Sequence, residues 1–213
     1  MTDQFRFTER DQEILQALAL KVRLFSQRQV ARHWWGGDLA NARRRLKQMA
    51  QVGLLTRLTV PARALPPLDV PLIRWQPGQP EPDFGSVAHR CQARWRLRAV
   101  HPCTVWIATE RGAQFYGAIR RGELKQPTQA THDLGVAAVW LKLKEIAPQW
   151  ADAWRGEDLF AHTRHGQKLP DAFIVDPQEQ TQCVIEFGGG YDMARVAEFH
   201  ADCAQRNLPY QLW

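Results

Sequence analysis

Three helix starts and one helix stop crowd into residues 8–53, and they constrain the fold more than any other feature of the chain. Thr8-Glu9-Arg10-Asp11 has the form of a capping box, a hydroxyl followed three residues on by a carboxylate. Ile14, Leu15 and Leu18 then recur at helical spacing and predict a helix over 9–20. Ser26 is a favourable N-cap for a second helix, Gln27 to Trp34, with Val30 and Trp34 facing inward. Gly36-Gly37 breaks that helix. Asp38 caps a third, with apolar positions Leu39, Ala42, Leu46 and Met49, and Gly53 stops it at the C-cap. Leu54, Leu55, Arg57 and Leu58 read as a strand. Three helices followed by a strand predict a winged helix-turn-helix, in which the third helix enters a DNA major groove.

Charge points the same way. Residues 1–60 hold 11 Lys+Arg against 5 Asp+Glu, whereas residues 61–213 hold 17 of each, so the whole formal net charge of +6 belongs to the head. A basic patch confined to a small helical segment is the electrostatic footprint of nucleic-acid binding. At 100° per residue, the direction opposite Ala42, Leu46 and Met49 is occupied by Arg44, Gln48 and Gln51, with Asn41 and Lys47 beside them. Arginine suits guanine edges, and Asn or Gln suits adenine. Arg43 and Arg45 point sideways, toward phosphates, and Gln27, Arg28 and Arg32 of the second helix add backbone contacts. Arg57 on the following strand joins the same set.

The bulk properties limit the alternatives. A chain of 213 residues suits one large domain or two small ones, and no apolar run approaches the roughly 18 residues of a membrane span. The stretch Met1–Phe7 lacks a signal-peptide core, and four scattered cysteines suit a reducing compartment, so a cytoplasmic location is expected. Most of the nine tryptophans are expected to anchor cores.

Residues 60–90, with Pro61, Pro66, Pro67, Pro71, Pro77, Pro80 and Pro82, read as a long wing or linker. Arg94, Arg96 and Arg98 alternate with Trp95, Leu97 and Ala99, which predicts a strand with one charged face. Thr104 to Tyr116 reads as strand then helix, Thr109 capping the helix, and completes a first domain over 1–122. His89/Cys91 and His101/Cys103 invite a zinc reading. A hairpin turning near Val100 would separate the two cysteines by on the order of 23 Å, too far for one ion. His162 and His165 flank a turn and are equally weak candidates.

A second domain is expected over 129–213. A helix opens at Thr131-His132-Asp133. Strands follow at Leu159–Thr163, Leu169–Asp176 and Gln182–Phe187, then a helix at Tyr191–Arg206 and a last strand at Pro209–Trp213. This αβββαβ order resembles the core of the PD-(D/E)xK nuclease-like fold. That resemblance implies that Asp171 and Glu186 hold a divalent metal, Mg2+ or Mn2+. The family's lysine two residues after the glutamate is Gly188 here, and the resemblance leaves Lys168 or Arg195 to supply a migrated charge. The Gly188-Gly189-Gly190 run lacks both the P-loop lysine and the dinucleotide-binding spacing.

Together, Thr8-Glu9-Arg10-Asp11-x-x-Ile14-Leu15, Ala42-Arg43-Arg44-Arg45-Leu46, Val52-Gly53-Leu54-Leu55, Thr109-x-Arg111-Gly112-Ala113, His132-Asp133-Leu134, Pro170-Asp171 and Ile185-Glu186 resemble the replication-relaxation family of plasmid and mobile-element proteins. The resemblance implies an α+β protein, a winged helix fused to a nuclease-like domain that is catalytically degenerate in this chain. It also implies a role in plasmid replication, mobilisation or their control. The layout is similar, too, to winged-helix antitoxins that repress their own promoters.

The leading expectation is a sequence-specific double-stranded DNA-binding regulator that works as a homodimer and needs no cofactor. The alternatives are a metal-dependent nuclease or nickase using Asp171, Glu186 and Lys168, and an antitoxin-like repressor holding a protein partner around Trp150 and Trp154.

Overall fold

The structure, a computed structural model, describes residues 6–118, 124, 129–157 and 169–213. Along the chain run α1 (Glu9–Leu20), β1 (Phe25–Ser26), α2 (Gln27–Trp34), α3 (Leu39–Gln51) and β2 (Leu55–Arg63). Next come β3 (Ile73–Trp75), α4 (Phe84–Ala93), β4 (Val100–Ala108), α5 (Glu110–Gln114) and α6 (Ala130–Ile146). The chain continues with α7 (Pro148–Ala153), β5 (Trp154–Gly156), β6 (Ala172–Val175), β7 (Thr181–Glu186), α8 (Met193–Gln205) and β8 (Tyr210–Leu212). This is a mixed α+β protein with two sheets. Among the described residues no helix is long and apolar enough to cross a membrane.

The chain divides into two compact units, Met1–Arg63 with Val100–Ala137, and Ala64–Ala99 with Ala138–Trp213. In the first, the capping signals act as the sequence predicts. Thr8 Oγ1 accepts from Asp11 N while Asp11 Oδ2 accepts from Thr8 N, and Ser26 and Gln29 form the same reciprocal box. Gly36 and Gly37 take positive φ of 56° and 93°, which an L side chain resists, and so turn α2 into α3. The antiparallel sheet has the order β1-β4-β2, with Phe25 opposite Trp106 and Leu55 opposite Ala108. Its core joins Ile14, Leu15 and Leu18 of α1 to Val30, Leu46, Met49 and Trp106, all sealed from solvent.

α5 locks the end of α3. Thr109 Oγ1 donates to Gly53 O at 2.7 Å and accepts from Gly112 N at 2.9 Å, and Thr109 N donates to Leu54 O at 3.0 Å. The carbonyls of Gly53 and Leu54, just beyond the helix end, are thereby satisfied.

The second unit overturns the expected wing. Residues 64–99 are not a surface linker; they supply the edge strand and a helix of the second sheet. That sheet runs β3-β8-β7-β6-β5, with β7 and β8 parallel and the other neighbours antiparallel. Ile73 and Trp75 are buried on either side of exposed Arg74, and Val87, Ala88 and Cys91 turn one face of α4 into the core beside Val196, Phe199 and Cys203 of α8. Burial of that apolar face outweighs the prolines around it. The expected division at 1–122 and 129–213 is corrected accordingly.

The strand expected at Arg94–Ala99 is also corrected. Arg94 is the C-cap of α4 and a turn follows, in which Arg98 donates to Arg94 O and Leu65 O. Strand β4 begins only at Val100, paired with Arg63. Six alternating residues are too short a signal to override a helix end. The strand expected at Leu159–Thr163, with His162, His165 and Lys168, lies outside the described residues; among the described residues β5, at Trp154–Gly156, pairs with β6.

Candidate functional sites

The first candidate is the outward face of α3. Ala42, Leu46 and Met49 are fully buried, which turns Asn41, Arg43, Arg44, Lys47 and Gln51 to solvent, with Gln48 half-buried. A short relay orders the start of this face. The Asp38 carboxylate accepts from Ala40 N and Asn41 N at 3.0 Å and from Asn41 Nδ2 at 2.5 Å, and Asn41 Oδ1 accepts from Arg44 Nη2 at 3.0 Å. Hydrogen bonds from Asn41 hold the Asp38 carboxyl below its usual pKa, against a small opposing effect of burial. Arg28 and Arg32 of α2 are exposed and Gln27 is half-buried. Arg57 stands on the exposed side of β2, where Thr59, Pro61 and Arg63 follow it at alternate positions.

Arg45 departs from its expected phosphate role. Its Nε and Nη2 grip Asp11 Oδ1 and Oδ2 at 2.9 and 2.5 Å, Nη2 also reaches Arg6 O, and Nη1 donates to Gln48 Oε1. Asp11 is completely buried, so this guanidinium neutralises an internal charge and holds α3 against α1. The sequence does not announce the pairing, because 34 residues separate the partners.

The second candidate is the carboxylate pair. Asp171 directly precedes β6 and Glu186 ends β7, and the antiparallel register that sets Ala172 opposite Ile185 brings the two together. Asp171 N donates to Glu186 Oε2 at 3.1 Å, Phe187 N donates to Asp171 Oδ2 at 2.7 Å, and Tyr191 OH donates to Glu186 Oε1. Both acids are buried, 8% and 3% exposed. Burial first, then the charge of Glu186, pushes the Tyr191 hydroxyl far above its ordinary value, so it remains a donor. The sequence named both acids but missed Tyr191, whose only signal is its position just beyond the glycine run.

Mg2+ keeps several waters and needs near-octahedral space, whereas three carboxylate oxygens of this buried pair accept protein donors. Among the described residues no group of three or more His, Cys, Asp or Glu gathers, around this pair or around Cys91 and Cys103. The lysine position of the nuclease-like pattern is filled as well. A Cβ on Gly188 would stand 3.0 Å from Leu212 Cδ1 and 3.1 Å from Cys91 Sγ. Nearby, Arg94 spans the Phe187 ring at 5.5 Å and donates to Trp213 O at 2.6 Å.

Trp154, the first residue of β5, is fully buried and does not present the exposed aromatic expected for a partner protein, and Trp150 is half-buried. Compared with known proteins, the chain matches no family model, no curated protein and no solved structure.

Proposed function

We propose that the chain is a sequence-specific double-stranded DNA-binding protein, acting as a regulator of transcription or of the replication or mobilisation of a mobile element. The observation that carries the reading is α3, which is anchored on three fully buried apolar residues and lifts Arg43, Arg44 and Lys47 to solvent. It sits in the first unit, in the order α1-β1-α2-α3-β2-β4 with a β1-β4-β2 sheet, which supports the winged helix-turn-helix reading. Arg44 and Asn41 read base edges, Arg43, Lys47, Arg28 and Arg32 hold phosphates, and Arg57 contributes from the wing strand. A homodimer on a two-fold symmetric site doubles the contacts available to so small a head.

The second unit has the αβββαβ order and the antiparallel, antiparallel, parallel strand pairing that support a nuclease-like scaffold. Its carboxylate pair serves as a clamp joining the start of β6 to the end of β7. Removing the Asp171 side chain leaves Phe187 N as a buried donor without its acceptor, a loss of about 1–3 kcal/mol.

Selection of bound duplexes from a random pool by the purified protein tests the first reading. An enriched two-fold symmetric motif is expected; recovery of DNA with no shared motif would reduce the head to a backbone binder. Supercoiled plasmid incubated with Mg2+ or Mn2+ tests the second. It should remain intact, whereas nicking that disappears in Asp171→Ala would restore the nuclease.

A further inference from the structure

We infer that Arg10 and Trp35 form a phosphate clamp for the DNA backbone, alongside the base-reading face of α3. The inference rests on the DNA-binding reading of that helix. Arg10 lies in the first turn of α1 and Trp35 at the C-cap of α2, and the guanidinium carbon stands 4.7 Å from the centroid of the indole. Arg10 is exposed and Trp35 half-buried. Stacking uses the face of the guanidinium and leaves its in-plane N–H donors aimed outward, in the fork that suits a phosphate. The side chain is thus ordered before any ligand arrives, which lowers the entropy lost on binding.

The pair borders a groove of about 310 Å³, also lined by Thr8, Asn41, Arg44 and Gln48. Among the described residues no carboxylate lines this groove. Of the two acids that flank Arg10 in the sequence, Glu9 and Asp11, the second is neutralised by Arg45. Arg10 also borders a wider concavity on its other side, of about 810 Å³, which Glu9 and Glu13 line together with Trp34. Glu13 is tied there to Trp34 Nε1 at 2.6 Å. Arg10 therefore divides a surface open to anions from one that repels them. The anion-accepting side is continuous with Arg44 and Asn41, so a strand read by α3 passes its phosphate to Arg10.

The test uses the full-length protein, fluorescence anisotropy and two probes, the duplex enriched by selection and a scrambled duplex of equal length, over a salt series. Arg10→Ala should weaken both probes by the same factor, roughly five- to tenfold, and lower the salt slope by about one. Trp35→Leu keeps the charge but loses the stack, and should weaken both probes several-fold with little change in slope. Arg44→Ala is the reference, expected to lose discrimination between the probes. Wild-type affinity and slope in Arg10→Ala, with discrimination still lost in Arg44→Ala, would overturn the clamp alone. Failure of the wild-type protein to bind either probe would overturn the clamp and the DNA-binding reading together. Arg10 is exposed, so its variant folds even where Trp35→Leu does not.

Discussion

Asp11 is wholly enclosed, yet its carboxyl ionises more readily than an ordinary aspartate. Burial alone would raise its pKa; hydrogen bonds from Arg45, and then from Thr8, more than reverse that effect. A folded value below the unfolded one, about 3.9, means that the stabilising contribution is complete above that pH. It is lost as the pH falls through the lower, folded value. Urea unfolding from pH 7 to pH 3 should therefore show stability declining below about pH 4. Arg45→Ala should cost about 2–4 kcal/mol at pH 7 and flatten the decline, because it strands a buried charge. An unchanged midpoint in Arg45→Ala would mean that the pair is a surface contact of little consequence. The triple arginine was legible in the sequence as charge, but its division of labour was not. Arg43 and Arg44 project outward while Arg45 turns inward, and that depends on an aspartate in another helix.

Among the elements, the junction of α5 with the segment that follows α3 determines how rigidly α3 is held. A Cβ placed on Gly112 would come within 2.3 Å of Leu54 O, a backbone atom that cannot rotate aside, and 3.0 Å of Leu15 Cδ1. Gly112→Ala should cost about 1–3 kcal/mol through overpacking, read as a lower melting temperature by circular dichroism. A melting temperature equal to wild type would show that α5 yields freely. Helix boundaries were legible where capping chemistry is local. Thr8, Ser26, Asp38 and Thr109 each cap the helix that the sequence assigns to them. β3 and α4 were hidden by the prolines around them. Their reason for forming is a sheet edge and a helix face more than a hundred residues later, which no local pattern can display. The carboxylate pair was legible as two acids at strand ends; the closure of its lysine position was not, because Cys91 arrives from α4.

At the scale of the molecule, the hairpin strands β2 and β4 are separated in sequence by a segment that completes the other unit. Each unit is therefore discontinuous, and neither can be cut out at the apparent linker. A fragment of residues 129–213 lacks β3, the partner of β8, and α4, which covers Val196, Phe199 and Cys203. It should fail to show a cooperative unfolding transition, whereas a fragment joining 64–99 to 138–213 through a short linker should regain one. Cooperative unfolding of 129–213 alone would contradict that assignment. The basic face of α3 lies in the first unit, and the buried Asp171–Glu186 pair lies in the second. The central claim, that α3 reads DNA sequence, is tested most directly by the affinities of wild-type and Arg44→Ala protein for the enriched duplex and its scrambled counterpart at near-physiological salt. The account predicts at least tenfold discrimination by the wild-type protein and a loss of about 1–3 kcal/mol on the enriched duplex alone in the variant. Equal binding of both duplexes by both proteins would contradict it.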